Sequence, residues 1–224
     1  MPSAPITRST LRQQLAEALR DEVLAGRLPA GRPFTVKEIA EQYGVSATPV
    51  REALVDLAAQ GLLDADHHRG FRVQEITLAD FTAMVEARTL VIEGIFRTAA
   101  FAGGLDRTPE ALASVRRRAE AARRAAVAGD LDVLIGYDLR FWRELGEFVG
   151  NPYVSEFLDR LRVQCWVFTV PLLRARGEDL RGLLWAGHLE LVAAIEQGDV
   201  AGAERSITAY NAHALALGRA LACG

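Results

Sequence analysis

Two groups of side chains in this 224-residue chain have types and spacings suited to chemistry. The first lies in GVSATPVREAL. With Ser46 as a helix N-cap, Val50, Ala53, Leu54, Leu57 and Ala58 share one helical face, which leaves Ala47, Thr48 and Arg51 exposed at the N-terminal end. A hydroxyl and a guanidinium there suit phosphates and base edges, and a helix-turn-helix puts that end into the major groove of DNA. The second group is Asp138, Trp142 one turn later, His188, Tyr210 and His213. Asp138 and His188 would make a general acid and base, but no Gly-rich phosphate loop, nucleophile elbow or complete metal set accompanies them. Otherwise His188 is a core histidine hydrogen-bonded to Asp138.

The flanking sequence positions both groups. In TVKEIAEQYG, Thr35 and Glu38 form a capping box, Val36, Ile39, Ala40 and Tyr43 an apolar stripe, and Gly44 a left-handed stop. After Gly61 the period changes. Leu62–Ala65 and Phe71–Gln74 read as two short strands around the turn Asp66-His67-His68-Arg69-Gly70, a wing. From Thr77 onward helical periodicity predicts helices at about 77–102, 108–128, 131–149, 151–175, 178–197 and 199–221, separated by glycines and Asn151-Pro152. Apolar-faced helices joined by short turns imply an antiparallel bundle, whose ligand sites are built from side chains facing the centre. The fold class is therefore mainly α: a winged helix-turn-helix over 1–75 and an all-α bundle over 76–224.

Composition narrows the function further. Half of the residues are hydrophobic, enough for a core, and no apolar run reaches the ~18 residues of a membrane span. MPSAPITRST lacks the charged and apolar regions of a signal peptide, so a cytoplasmic protein is expected. Cys165 and Cys223 show no metal spacing and receive no role. Residues 1–75 hold nine Lys/Arg against ten Asp/Glu, so DNA affinity must come from the placement of Lys37, Arg51, Arg69 and Arg72. The Arg116-Arg117-Arg118 and Arg123-Arg124 runs spread around more than one helical face near Glu110 and Glu120, which suits a solvated surface.

GVSATPVREAL, the GLL segment, the RGFRV strand and the upstream LAGRLPAGRPFT resemble the DNA-binding domain of the GntR family of bacterial repressors, from about Leu11 to Val73. The resemblance implies that Lys37, Ser46, Thr48 and Arg51 contact phosphates or bases and that His67 and Arg69 of the wing reach the minor groove. Ala47 stands where the family usually has a guanine-reading arginine, a difference of about 1–3 kcal/mol of discrimination at one base pair. The second half resembles the FCD effector domain of the FadR branch, in which an aspartate and three histidines hold a divalent metal. Asp138 and His188 stand at ligand positions, whereas Trp142 and Tyr210 replace histidines and His213 falls one turn late. Two ligands fall short of the three that zinc or nickel sites want, so no metal and no cofactor is expected.

An effector pocket is expected instead, with Trp142 as an aromatic wall and Arg88, His188, Tyr210 and Asp138 as polar contacts. Arg88 matches an arginine that the family directs into this cavity; its alternative is a surface ion pair with Glu86 or Glu93. The expected protein is a homodimeric regulator, taken as a repressor, with operator DNA and a small organic acid as partners. Two competing readings are a DNA binder with a closed, ligand-free bundle and an enzyme using Asp138 and His188.

Overall fold

The computed structural model describes residues 11–28, 30–66, 70–98, 108–177 and 179–223. The chain divides into two compact units, Met1–Glu75 and Ile76–Gly224. In the first, α1 (Leu11–Leu24) buries Leu15, Leu19 and Val23 at helical spacing. That stripe packs against α3, and Arg20 bonds the Gln60 side chain just beyond α3. The Thr35–Glu38 capping box opens α2 (Val36–Tyr43), and Gly44 ends it at φ 64°. α3 (Ala47–Ala59) buries Val50, Ala53, Leu54 and Leu57 completely. Removing one such leucine from water is worth about 1.5–3 kcal/mol, so this stripe fixes which face of α3 remains outside.

β2 (Leu63–Asp66) and β3 (Gly70–Val73) form the expected hairpin, with Leu63 opposite Val73 and Ala65 opposite Phe71. β1 (Pro33–Phe34), which the sequence reading did not foresee, pairs with the other edge of β3 to give the order β1-β3-β2. Two residues show no periodicity, so β1 is visible only through its partner. The turn residues His67 and Arg69, expected to reach the minor groove, lie outside the described residues.

The second unit is all helical among its described residues: α4 (Leu78–Arg97), α5 (Pro109–Ala128), α6 (Leu131–Glu147), α7 (Pro152–Arg176), α8 (His188–Gln197) and α9 (Val200–Cys223). α5 packs on α6 and α8, α9 on α4 and α8, and α7 joins α4 to α6. The caps follow the sequence, with Thr77 and Asp80 forming a second capping box and Thr108, Asp130 and Asn151 each accepting a backbone N–H.

Two helix boundaries differ from expectation. α4 ends at Arg97 because Thr98 turns to extended dihedrals and its hydroxyl bonds the Ile95 carbonyl. The helix expected at 178–197 begins only at His188, and the segment before it is a series of turns. Gly182 sits at φ 79°, and a Cβ on Gly187 would lie 2.4 Å from the Trp185 ring. The apolar run Leu183-Leu184-Trp185 continues the helical period while these glycines hold the chain out of it. Among the arginine runs, Arg116 pairs with Glu196 and Arg118 with Glu144, tying α5 to α8 and α6 on the surface.

Candidate functional site

The first unit presents α3 with one face buried and one free. Ser46, Ala47, Thr48 and Arg51 are exposed at its N-terminal end, with Glu52 and Val55 on the same outer side. Ser46 has the extended dihedrals of an N-cap but makes no side-chain cap bond, contrary to the capping role expected of it. A serine that does not cap keeps its hydroxyl for other partners. Lys37 lies on the outer face of α2, 3.7 Å from Glu41, and Arg72 pairs with Asp64 at 3.3 Å. Both are exposed ion pairs, worth at most about 1 kcal/mol, so a phosphate can compete for either cation.

In the second unit the chemistry centres on Asp138, only 1% exposed. Its Oδ1 accepts the indole N–H of Trp142 at 3.0 Å and lies 2.9 Å from Nε2 of His188. Its Oδ2 accepts the indole N–H of Trp166 at 2.9 Å. Nε2 of His188 faces this carboxylate oxygen, and its Nδ1 has no hydrogen-bond partner among the described residues. The donor set does not fit a divalent ion. Indole nitrogens have no free lone pair, Nε2 of His188 faces the carboxylate, and burial pushes the Tyr210 phenol, against which Asp138 also acts, well above its ordinary pKa of 10. Among the described residues no three His, Cys, Asp or Glu converge as metal ligands.

Two guanidiniums flank this cluster. Arg88 is 1% exposed, which rules out the surface pair with Glu86 or Glu93, and Arg162 is 4% exposed. Arg88 lies 4.9 Å above the Tyr210 ring and Arg162 4.4 Å above that of Trp142. Nε and Nη2 of Arg88 and Nε of Arg162 have no hydrogen-bond partner, and neither residue forms an ion pair among the described residues. Burial and the nearby Arg88 lower the Arg162 pKa to about 10. It remains charged at neutral pH.

Arg88, Arg162 and Asp138 line a cavity of about 50 Å³ with Tyr210, Thr169 and His213. Room on that scale holds a few waters or a small polar headgroup. Burial lowers the pKa of His213, opposed in part by a hydrogen bond at the Leu183 backbone. Of the residues expected in a pocket, Arg88, Asp138 and Tyr210 meet here. His188 sits behind Asp138 rather than on the cavity wall, and Trp142 lines a neighbouring cavity. Arg162, Trp166 and Thr169 were missed, although Leu158, Leu161, Arg162, Cys165 and Thr169 follow the helical core period. A charged residue inside an apolar stripe was the available signal.

A winged helix-turn-helix followed in the chain by an all-helical unit is the architecture of a DNA-binding transcriptional regulator. Residues 11–73 match the bacterial regulatory proteins of the gntR family, and residues 83–213 match the FCD domain. The chain is 32% identical over 206 residues to the probable D-xylose utilization operon transcriptional repressor of Paenarthrobacter nicotinovorans, covering 92% of this chain and 88% of that relative. It is 26% identical over 205 residues to the HTH-type transcriptional regulator McbR of Escherichia coli K12, covering 86% of each. The solved structure of E. coli McbR/YncC has the same fold, with a TM-score of 0.78 at 24% identity over 95% of this chain and 98% of that one. The chain belongs to the GntR family of DNA-binding transcriptional regulators, with an FCD domain as its second unit.

Proposed function

We propose that this regulator acts as a dimeric repressor whose operator affinity is set by a small monocarboxylate held between Arg88 and Arg162. The observation that carries the reading is the charge of the cavity wall. Two buried guanidiniums line the cavity with one carboxylate, Asp138, which is already engaged by Trp142, Trp166 and His188, while Asp159 acts on Arg162 from outside the lining. Buried ions require partners, and an uncompensated one costs several kcal/mol. The lining residues carry one positive charge in excess, which a monocarboxylate meets without bringing in the second charge of a dianion. Guanidinium forks are suited to carboxylates, and Thr169, Tyr210 and His213 offer further polar contacts. Asp138 acts in this reading as the anchor that sets the indoles of Trp142 and Trp166 and the ring of His188. On the DNA side, Ser46, Thr48, Arg51 and Lys37 make the operator contacts from the exposed face of α2 and α3.

A ligand that draws Arg88 on α4 and Arg162 on α7 together stabilises one arrangement of these helices, and it shifts operator affinity only by its differential affinity for the two arrangements. The test is a thermal-shift screen of the full chain with acetate, propionate, lactate, pyruvate, benzoate, succinate and, because of the relative's name, D-xylose, followed by operator titration with each hit. Monocarboxylates are expected to raise the melting temperature and change operator affinity, with succinate weaker, and Arg88→Met is expected to lose the response. Stabilisation by D-xylose alone, or equal responses in Arg88→Met, overturns the reading.

A further inference from the structure

Arg88, Asp138 and Arg162 on the cavity wall are each at most 4% exposed, so no molecule reaches them unless part of the wall moves. Most of that wall is helix, from α4, α6, α7 and α9, and a helix is held by its own ladder of backbone bonds. Leu184 and Trp185 are the exception, because they come from the non-helical segment 179–187. Between Asp179 and Ala186 the one backbone–backbone hydrogen bond among the described residues runs from the Leu183 N–H to the Leu180 carbonyl, at 3.1 Å. Side-chain contacts with α9 hold the segment instead. The Trp185 ring packs on Tyr210 at 5.8 Å and on His213 at 5.7 Å between centroids, and His213 bonds the Leu183 backbone. Gly182 and Gly187 bracket these four residues, and glycine leaves the backbone free to turn at both ends. Segments with so few backbone bonds open at low free energy while the packed helices around them stay closed.

We infer that residues 179–187 are the gate of the charged cavity, opening when Leu184 and Trp185 lift from Tyr210 and His213 while α7 and α8 stay in place. The gate stands whether the occupant is a monocarboxylate or another small molecule. Closed, it keeps the two guanidiniums from water; open, it admits or releases the occupant.

Cys165 lines the same cavity, is 7% exposed, and reports the opening without any ligand. The test is the rate at which methyl methanethiosulfonate, a small neutral thiol reagent, labels Cys165 in the full chain carrying Cys223→Ser, followed by mass spectrometry. Gate opening exposes little surface, so labelling of the folded protein is expected to be slow and nearly independent of sub-denaturing urea, whereas labelling through global unfolding climbs with the full urea slope. Trp185→Ala removes two aromatic contacts and is expected to speed labelling about tenfold. Because that variant also thins the wall and could fold poorly, Gly187→Ala provides a second perturbation. Gly187 has φ −83°, which suits alanine, but the added Cβ would lie 2.4 Å from the Trp185 ring and must displace it, so faster labelling is expected with the ring retained. Circular dichroism checks the folding of both. A rate that follows the global urea slope, no labelling of the folded parent, or a rate unmoved in either folded variant overturns the gate and leaves residues 179–187 a fixed wall.

Discussion

Arg88→Met separates the cost of the buried charge from its use. Arg88 is 1% exposed, two of its nitrogens lack partners among the described residues, and its guanidinium lies 4.9 Å from the Tyr210 ring centroid on the cavity wall it shares with Asp138. A desolvated cation–π contact is worth about 2 kcal/mol. Against it stand a desolvation penalty of several kcal/mol and repulsion from Arg162, and replacing buried ionic groups by apolar ones of similar volume is commonly neutral or stabilising by about 1–4 kcal/mol. Met keeps most of the stem volume. In buffer free of carboxylates and phosphate, Arg88→Met is therefore expected to stabilise the protein by about 1–3 kcal/mol, a rise of roughly 2–12 °C in melting temperature for a chain of this size. With the best acid of the screen at a hundredfold its dissociation constant, the wild type gains about 2.7 kcal/mol and the variant gains nothing, so the order narrows or reverses. Differential scanning calorimetry with and without the acid measures both arms. A variant that melts several degrees lower in carboxylate-free buffer would show that Arg88 is already satisfied, and the charge argument would fail.

Further outcomes concern DNA, assembly and pH. Arg51→Ala is expected to weaken operator binding by about 1–3 kcal/mol in gel-shift titration, and unchanged affinity in a folded variant refutes the contact. Two recognition helices must lie about one turn of DNA apart, so light scattering is expected to give a dimer of the 24.4 kDa chain; a monomer that stays monomeric on DNA refutes this. The Asp80 carboxyl is held below its ordinary 3.8 by the hydroxyl and N–H of Thr77. A lowered folded pKa gives stability that is present above pH 3.8 and lost as pH falls through the folded value, so Thr77→Ala is expected to flatten the acid limb of a pH-dependent melt.

Much of this architecture was legible because local chemistry and burial agree. Thr35 with Glu38, Thr77 and Asn151 announce helix starts, and the stripe Val50, Ala53, Leu54, Leu57 dictates which side of α3 faces outward. Legibility failed where a tertiary contact decides. Residues 179–187 continue the apolar period, yet the chain there does not form a helix and the Trp185 ring packs instead against Tyr210 and His213 of α9. Arg88 gave no local sign of whether it was buried or paired on the surface, because the Tyr210 ring that receives it lies on another helix. Arg162 was overlooked for the opposite reason: its position in the stripe was readable, but its partner Trp142 comes from α6. Trp142, expected as a wall of the pocket that holds Arg88 and Asp138, lines the apolar cavity instead, with its N–H on Asp138 one turn earlier.

The same cluster yields a prediction about metals. A divalent ion at Asp138 would have to displace N–H bonds from Trp142, Trp166 and His188, and charged hydrogen bonds of this kind are worth about 1.5–3 kcal/mol each. It would also enter a wall that already holds Arg88 and Arg162, which together carry the charge of one divalent cation. Guanidiniums bind a carboxylate as directional N–H donors, and no chelator removes them. Chelator treatment is thus expected to leave the melting temperature unchanged, and a stoichiometric metal whose removal lowers it would overturn this account. Trp142→His with Tyr210→His supplies two imidazoles, but the guanidiniums would still repel the incoming ion. Zinc or nickel affinity, measured by calorimetric titration, is therefore expected to be weak in that double variant and to strengthen when Arg162→Met is added. Equal affinity in both backgrounds would mean that electrostatic repulsion in this cavity is not what keeps a cation out.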